Sequence, residues 1–179
     1  MTIDPVIERT LTFSFMLLFA AAASHKVRDL RAFRATLDAY RLVSSVLVAP
    51  MAALVVAVEI AIASTIWFAW QAGLAAALLL AVYAAAIGIN LARGRTDIDC
   101  GCSGTAARTT LSGWLVVRNL VLVAMALGLS LPASHETRPL VWVDGLTIAG
   151  ATAALAACWL ASERMLMLVP VIVRVRGAG

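Results

Sequence analysis

Residues 72–91 read AGLAAALLLAVYAAAIGINL, an unbroken stretch without a charged side chain. A helix of roughly 20 apolar residues rises about 30 Å, the thickness of a bilayer's hydrocarbon core. The rest of the chain has the same character. It has 179 residues, of which 63% are hydrophobic and 13% charged, and its mean hydropathy is +0.96. A soluble domain is about 45–50% apolar and about 25% charged. A core of this size cannot hide the excess, so lipid is the solvent. The apolar runs are continuous rather than alternating, which selects helices over a barrel.

Working outward from this stretch, further apolar runs cover residues 6–24, 46–70, 114–131 and 140–161. The expected fold is an all-α integral membrane protein, a bundle of four to five transmembrane helices in a single domain over 1–179. Trp67, Trp70, Trp114, Trp142 and Trp159 mark span ends, as interfacial aromatics do. Small residues recur every fourth position at Ala84, Gly88 and Ala92 and at Gly150, Ala154 and Cys158, a pattern that lets helices approach closely. The apolar tail 165–176 is too short for another span and is expected at the interface. Asp4, Glu8 and the lone Arg9 make a poor signal peptide, so the first span is expected to be retained.

Residues 28–43 differ. Leu30, Phe33, Leu37 and Tyr40 recur at helical spacing, and Arg28, Arg31, Arg34, Asp38 and Arg41 fill much of the rest. This is one interfacial amphipathic helix, lying on the bilayer or folding back over the bundle. The net charge of +4 comes mostly from arginine and reads as topology signal and lipid headgroup contact. No basic run is interleaved with aromatics, so nucleic acid is not an expected partner, and no soluble domain remains outside the spans.

The polar loop after residue 91 contains Asp99-Cys100-Gly101-Cys102-Ser103-Gly104. A Cys-x-Cys disulfide closes a very small ring, because cysteines two apart barely reach the usual Cα separation of about 5.5–6 Å. Such a strained bond has a high reduction potential and is readily attacked by a thiolate. Gly101 relieves part of the strain with backbone angles other residues avoid. Arg93, Arg95 and Arg108 favour thiolates, whereas Asp97 and Asp99 oppose them. The other readings are a metal site, which lacks neighbouring ligands and leaves no metal expected, an inert bridge, and spectator thiols. Redox exchange through Cys100 and Cys102 fits best, with Asp99, Gly101 and Gly104 supporting the loop. Cys158 reads as a small packing residue.

Glu59 lies within the second apolar run, where a carboxylate requires a partner or a cavity. Candidate partners are His25, Lys26 and Arg118. Asn90, Arg118 and Asn119 fall toward the membrane end that carries the cysteine loop. Together these residues would line either an intramembrane polar pocket suited to a quinone headgroup or a structural ion pair that fixes helix register.

The Asp-Cys-Gly-Cys-x-Gly loop between spans three and four resembles that of the methylamine utilisation protein MauE family and its DoxX-like relatives. Ser24-His25-Lys26, the Phe33, Leu37, Tyr40 and Pro50 stretch and Glu59 fit the same pattern. Ser103 replaces the aromatic that the family favours after the second cysteine. The resemblance implies a multi-pass protein of the bacterial inner membrane that helps mature the disulfide-rich small subunit of methylamine dehydrogenase. It also implies a thioredoxin-like, MauD-like partner. A distant similarity to quinone-using disulfide-forming enzymes is implied too, although their second cysteine pair is missing here.

Five spans place the cysteine loop on the side rich in arginine, which the positive-inside rule makes cytoplasmic. The family's role calls for the periplasm, where disulfides persist. The expected function is membrane thiol–disulfide exchange. The alternative is a non-catalytic scaffold or small-molecule carrier that docks a thioredoxin-like protein and whose cysteines are structural.

Overall fold

The computed structural model describes residues 4–96, 98, 111–130 and 139–177, with the side chains of residues 70, 163 and 165–177 excepted. Asp99, Cys100, Gly101, Cys102 and Gly104 lie outside the described residues. Every regular element described is a helix: α1 Pro5–Arg28, α2 Leu30–Ala39, α3 Ser45–Thr65, α4 Trp70–Ala92, α5 Gly113–Leu129 and α6 Trp142–Gly177. Four helices, α1, α3, α4 and α6, are long and apolar enough to cross a membrane. The 17-residue α5 rises about 25 Å, a short span.

Local chemistry sets the boundaries. Asp4 starts α1 by accepting the Val6 amide at 2.8 Å, with Pro5 in the first turn where no amide is needed. Asp29 separates α1 from α2: its amide donates to the His25 carbonyl, and its carboxylate accepts from Ala32 at 2.9 Å. The amphipathic segment therefore begins at Leu30, and Arg28 belongs to α1. In α2, Arg31, Arg34 and Asp38 are exposed, while Leu30, Phe33 and Leu37 are half-buried. The second apolar run is shorter than its composition suggests. Residues 66–69 turn, with Phe68 and Ala69 donating to the Thr65 carbonyl, and Trp70 opens α4. At the other end of the chain, the tail expected at the interface continues α6 as far as Gly177.

Side-chain pairs show the helix directions. Arg9 and Phe13, early in α1, meet Trp67 in the α3–α4 turn at 4.4 and 4.9 Å. Gly73, early in α4, lies against Ala126 and Ser130, late in α5. Arg118, early in α5, covers Trp159, midway along α6, at 4.3 Å. The chain thus runs up and down, and α2 and the α4–α5 connection share one end of the bundle. Arg28, Arg31, Arg34, Arg41, Arg93 and Arg95 fall at that end, whereas Arg9 lies at the other.

The main core joins four helices through Phe15 and Phe19 of α1, Ile62 of α3, Ala76 and Leu80 of α4, and Ala126 of α5. Outside it the helices show large apolar side chains such as Leu54, Leu78, Val82 and Leu120 to the surroundings, as lipid-facing helices do. Of the expected small-residue positions, Ala84 is buried. Gly150, Ala154 and Cys158 are exposed, and nothing lies within 4 Å of a Cβ built at Gly88. Close approach occurs instead at Gly73, where a Cβ would stand 2.7 Å from Ser130 Oγ and 3.1 Å from the Ala126 carbonyl. Gly73→Val is expected to push α4 from α5 and destabilise the protein by about 1–3 kcal/mol. Gly88→Ala should stay within about 0.5 kcal/mol of the parent. Thermal unfolding in detergent micelles, followed by tryptophan fluorescence, checks both.

Candidate functional site

A charged pair lies at the centre of the bundle. Glu59 is fully buried in α3, and Lys26, near the end of α1, is 5% exposed. Lys26 Nζ forms an ion pair with Glu59 Oε1. Tyr83 of α4 completes the group: its hydroxyl donates to Glu59 Oε1 at 2.7 Å and stands 3.2 Å from Lys26 Nζ. The ammonium also lies 5.0 Å from the Tyr83 ring and 5.1 Å from the Phe33 ring of α2. Both aromatic faces are electron-rich and favour the cation. Four helices thereby converge on one buried charge pair. Both donors serve Oε1, and the buried Oε2 has no hydrogen-bond partner among the described residues.

A cavity of about 130 Å³ borders this group. Its polar wall comprises His25, Lys26, Glu59, Tyr83, Arg118 and Asn119. Five of these were expected in a pocket, and the structure brings them together. Glu59's ion-pair partner is Lys26, while the Arg118 guanidinium covers Trp159. Trp159 forms part of the cavity wall. Asn119, 2% exposed, donates to the Leu115 carbonyl at 2.8 Å. Tyr83 is the residue sequence reading missed. In an Ala- and Leu-rich span a lone tyrosine looks like packing, and only its buried hydroxyl signals otherwise.

Asn90 was expected in the same pocket and is not on its wall. It lies seven residues beyond Tyr83 in α4, about 10 Å along the axis, and holds the neck of the cysteine loop. Gly94, at φ +70, ends α4 with a left-handed turn, in which Gly94 donates to the Leu91 carbonyl and Arg95 to the Asn90 carbonyl. The turn folds Arg95 back, so Nη1 donates to Asn90 Oδ1 at 3.2 Å and to the Tyr40 carbonyl at 3.4 Å. The Leu111 amide donates to the Thr96 carbonyl at 3.1 Å. The residues that flank 97–110 are thus joined to each other. Tyr40, Ile87, Leu111 and Leu115 pack beneath them as a second apolar cluster.

With this geometry in hand, comparison with known proteins is informative. The family model described as "Methylamine utilisation protein MauE" matches residues 5–132, an interval that includes the Cys100-Gly101-Cys102 stretch. The chain is 39% identical over 158 residues to the methylamine utilization protein MauE of Paracoccus denitrificans, covering 86% of this chain and 84% of that protein. It is 36% identical over 137 residues to the namesake of Paracoccus versutus, covering 74% of each. It is also 36% identical over 154 residues to that of Methylorubrum extorquens, covering 83% of each. No solved structure matches.

The buried pair makes a quantitative expectation. Removing one partner strands the other charge, at a cost of about 3–5 kcal/mol, whereas removing both leaves an apolar contact of similar volume. Lys26→Met and Glu59→Leu should each lower stability by that amount. The double variant should lose far less than the sum, in a double-mutant cycle of unfolding free energies in lipid or detergent.

Proposed function

The chain belongs to the methylamine utilisation protein MauE family, and from that membership we propose that it serves methylamine utilisation as a multi-pass inner-membrane thiol–disulfide exchange protein. Its substrate in this reading is the small subunit of methylamine dehydrogenase, which acquires its disulfides through Cys100 and Cys102. The observation that carries the reading is the Cys100-Gly101-Cys102 motif, placed by sequence on a loop whose stems are joined.

The exchange runs in two steps. A thiolate of the partner attacks one sulfur of a Cys100–Cys102 disulfide. This forms a mixed disulfide and releases the other cysteine as a thiolate. The partner's second thiolate then attacks its own sulfur in the mixed disulfide and leaves as a disulfide. The pair now carries two electrons more and, once protonated, is a dithiol. A thioredoxin-like protein in its disulfide form removes those electrons by the same exchange. The small ring formed by Cys100 and Cys102 favours the first attack, because opening it releases strain. In this reading Asp99, Gly101 and Gly104 support the loop that carries the two cysteines.

Cys100→Ser and Cys102→Ser should each abolish maturation of methylamine dehydrogenase while membrane levels of the protein stay unchanged. Cys158→Ala should have no effect. One single-cysteine variant should trap a mixed disulfide that reductant releases. Full maturation by both variants would move the function to a scaffold with structural cysteines. In intact spheroplasts of the Cys158→Ala background, a membrane-impermeant thiol reagent should label the pair from outside, and only after mild reduction. Labelling confined to broken membranes would overturn oxidative maturation and place the pair on the cytoplasmic side that the surrounding arginines favour.

A further inference from the structure

The cavity beside Lys26, Glu59 and Tyr83 has features that the charge pair alone does not require. A pair whose purpose is only to fix helix register is best packed solid. Here about 130 Å³ is open next to it. An apolar cavity of about 150 Å³ takes one benzene ring, so the space suits a single aromatic ring. Phe19, Leu80, Leu122 and Trp159 supply flat and branched apolar walls for such a ring. Ala21 and Leu160 also border the space, and Leu160 is 61% exposed on the lipid-facing surface. A ligand can therefore enter from the bilayer between α1 and α6.

The polar wall specifies which ring. Glu59 is fully buried, yet its Oε2 accepts no hydrogen bond among the described residues. Leaving such a group unsatisfied costs about 1–3 kcal/mol, more when it is charged. The two groups that donate to Glu59, Lys26 and Tyr83, both serve Oε1. What Glu59 Oε2 lacks is a donor, and a ring bearing only carbonyl oxygens brings it none. We propose that this cavity binds a hydroxylated aromatic ring taken from the lipid phase, the chemistry of a quinol head, with a ring hydroxyl donating to Glu59 Oε2. This keeps five residues of the expected pocket and changes the ligand form. It lies beside the ion pair rather than at Asn90, and it selects the hydrogen-bond-donating form. The assignment does not depend on the cysteine reading, and its test can be run on a chain lacking Cys100 and Cys102.

The test uses the full chain with Cys100→Ser and Cys102→Ser, purified in detergent. Calorimetric titration compares hydroquinone, kept reduced by ascorbate, with 1,4-difluorobenzene, a ring of similar size that cannot donate. Saturable one-to-one binding of hydroquinone is expected, at least ten-fold tighter than that of difluorobenzene. Ala22→Phe, which fills the cavity from α1, should abolish that binding without changing the unfolding temperature. Equal affinity for the two rings would overturn the proposal, as would absence of saturable binding. Full binding by a folded Ala22→Phe variant would do the same. None of these results bears on whether Cys100 and Cys102 exchange disulfides, which the maturation assay reads separately.

Discussion

Lys26 and Glu59 meet at a depth where apolar helices surround them, and neither can turn toward water without leaving the other stranded. The effective cost of burying a single ion is several kcal/mol, so the pair acts as a constraint more than as a source of stability. A helix that slides by one turn separates the two by about 5 Å and exposes both to hydrocarbon. Tyr83 extends the constraint to α4 through its hydrogen bond to Glu59, and Phe33 extends it to α2 through its ring. The apolar core around Phe15, Phe19, Ile62 and Leu80 is non-directional and would tolerate several registers. The polar group selects one of them.

The helices were legible in sequence because the bilayer's thickness imposes a length that composition alone reveals. Their ends were less legible. The α3–α4 turn contains neither Gly nor Pro: Ile66, Trp67, Phe68 and Ala69 read as more span. Only the turn's own hydrogen bonds and the seating of Trp67 against Phe13 and Arg9 mark it. Asp29 was readable as a cap in principle, because its carboxylate is followed three residues later by the amide it accepts. At the site, a carboxylate in a span announces itself whatever its partner, so Glu59 stood out. Its choice of Lys26 depends on how α1 meets α3. Tyr83 is silent in sequence, because an aromatic among Ala and Leu is ordinary core. Asn90 was misplaced for a related reason. Its depth was right, but the turn at Gly94 folds Arg95 back onto it and commits it to the loop neck.

The neck changes how the cysteine motif should be read. A polar connection between two spans is ordinarily free to sample the interface. This one leaves α4 through a left-handed glycine, is tied to the end of α2 by Arg95, and re-enters α5 through the Leu111–Thr96 hydrogen bond. Arg41, which follows α2, is the one described non-glycine residue with positive φ, at 48, a conformation that costs about 1–2 kcal/mol. The Arg95 bond to the adjacent Tyr40 carbonyl helps hold the chain there. Both ends of the connection, at Arg95 and Leu111, lie at the end of the bundle that carries Arg28, Arg31 and Arg34.

The helix pair that carries the loop also carries the cavity. Tyr83 and Asn90 lie two turns apart on α4, close to one face of that helix. On α5, Leu115 packs in the neck cluster, and Asn119, one turn further, forms part of the cavity wall. The Asn119 amide donates to the Leu115 carbonyl, so the two α5 positions are bonded to each other. α4 and α5 form the most extensive helix–helix interface of the bundle, closed at its far end by the Gly73–Ser130 approach. A packed pair of this kind moves as a unit, because interiors at crystal-like density transmit displacement rather than absorb it. The cavity wall and the loop neck therefore share the α4–α5 pair, through Tyr83 and Asn90 on α4 and Asn119 and Leu115 on α5.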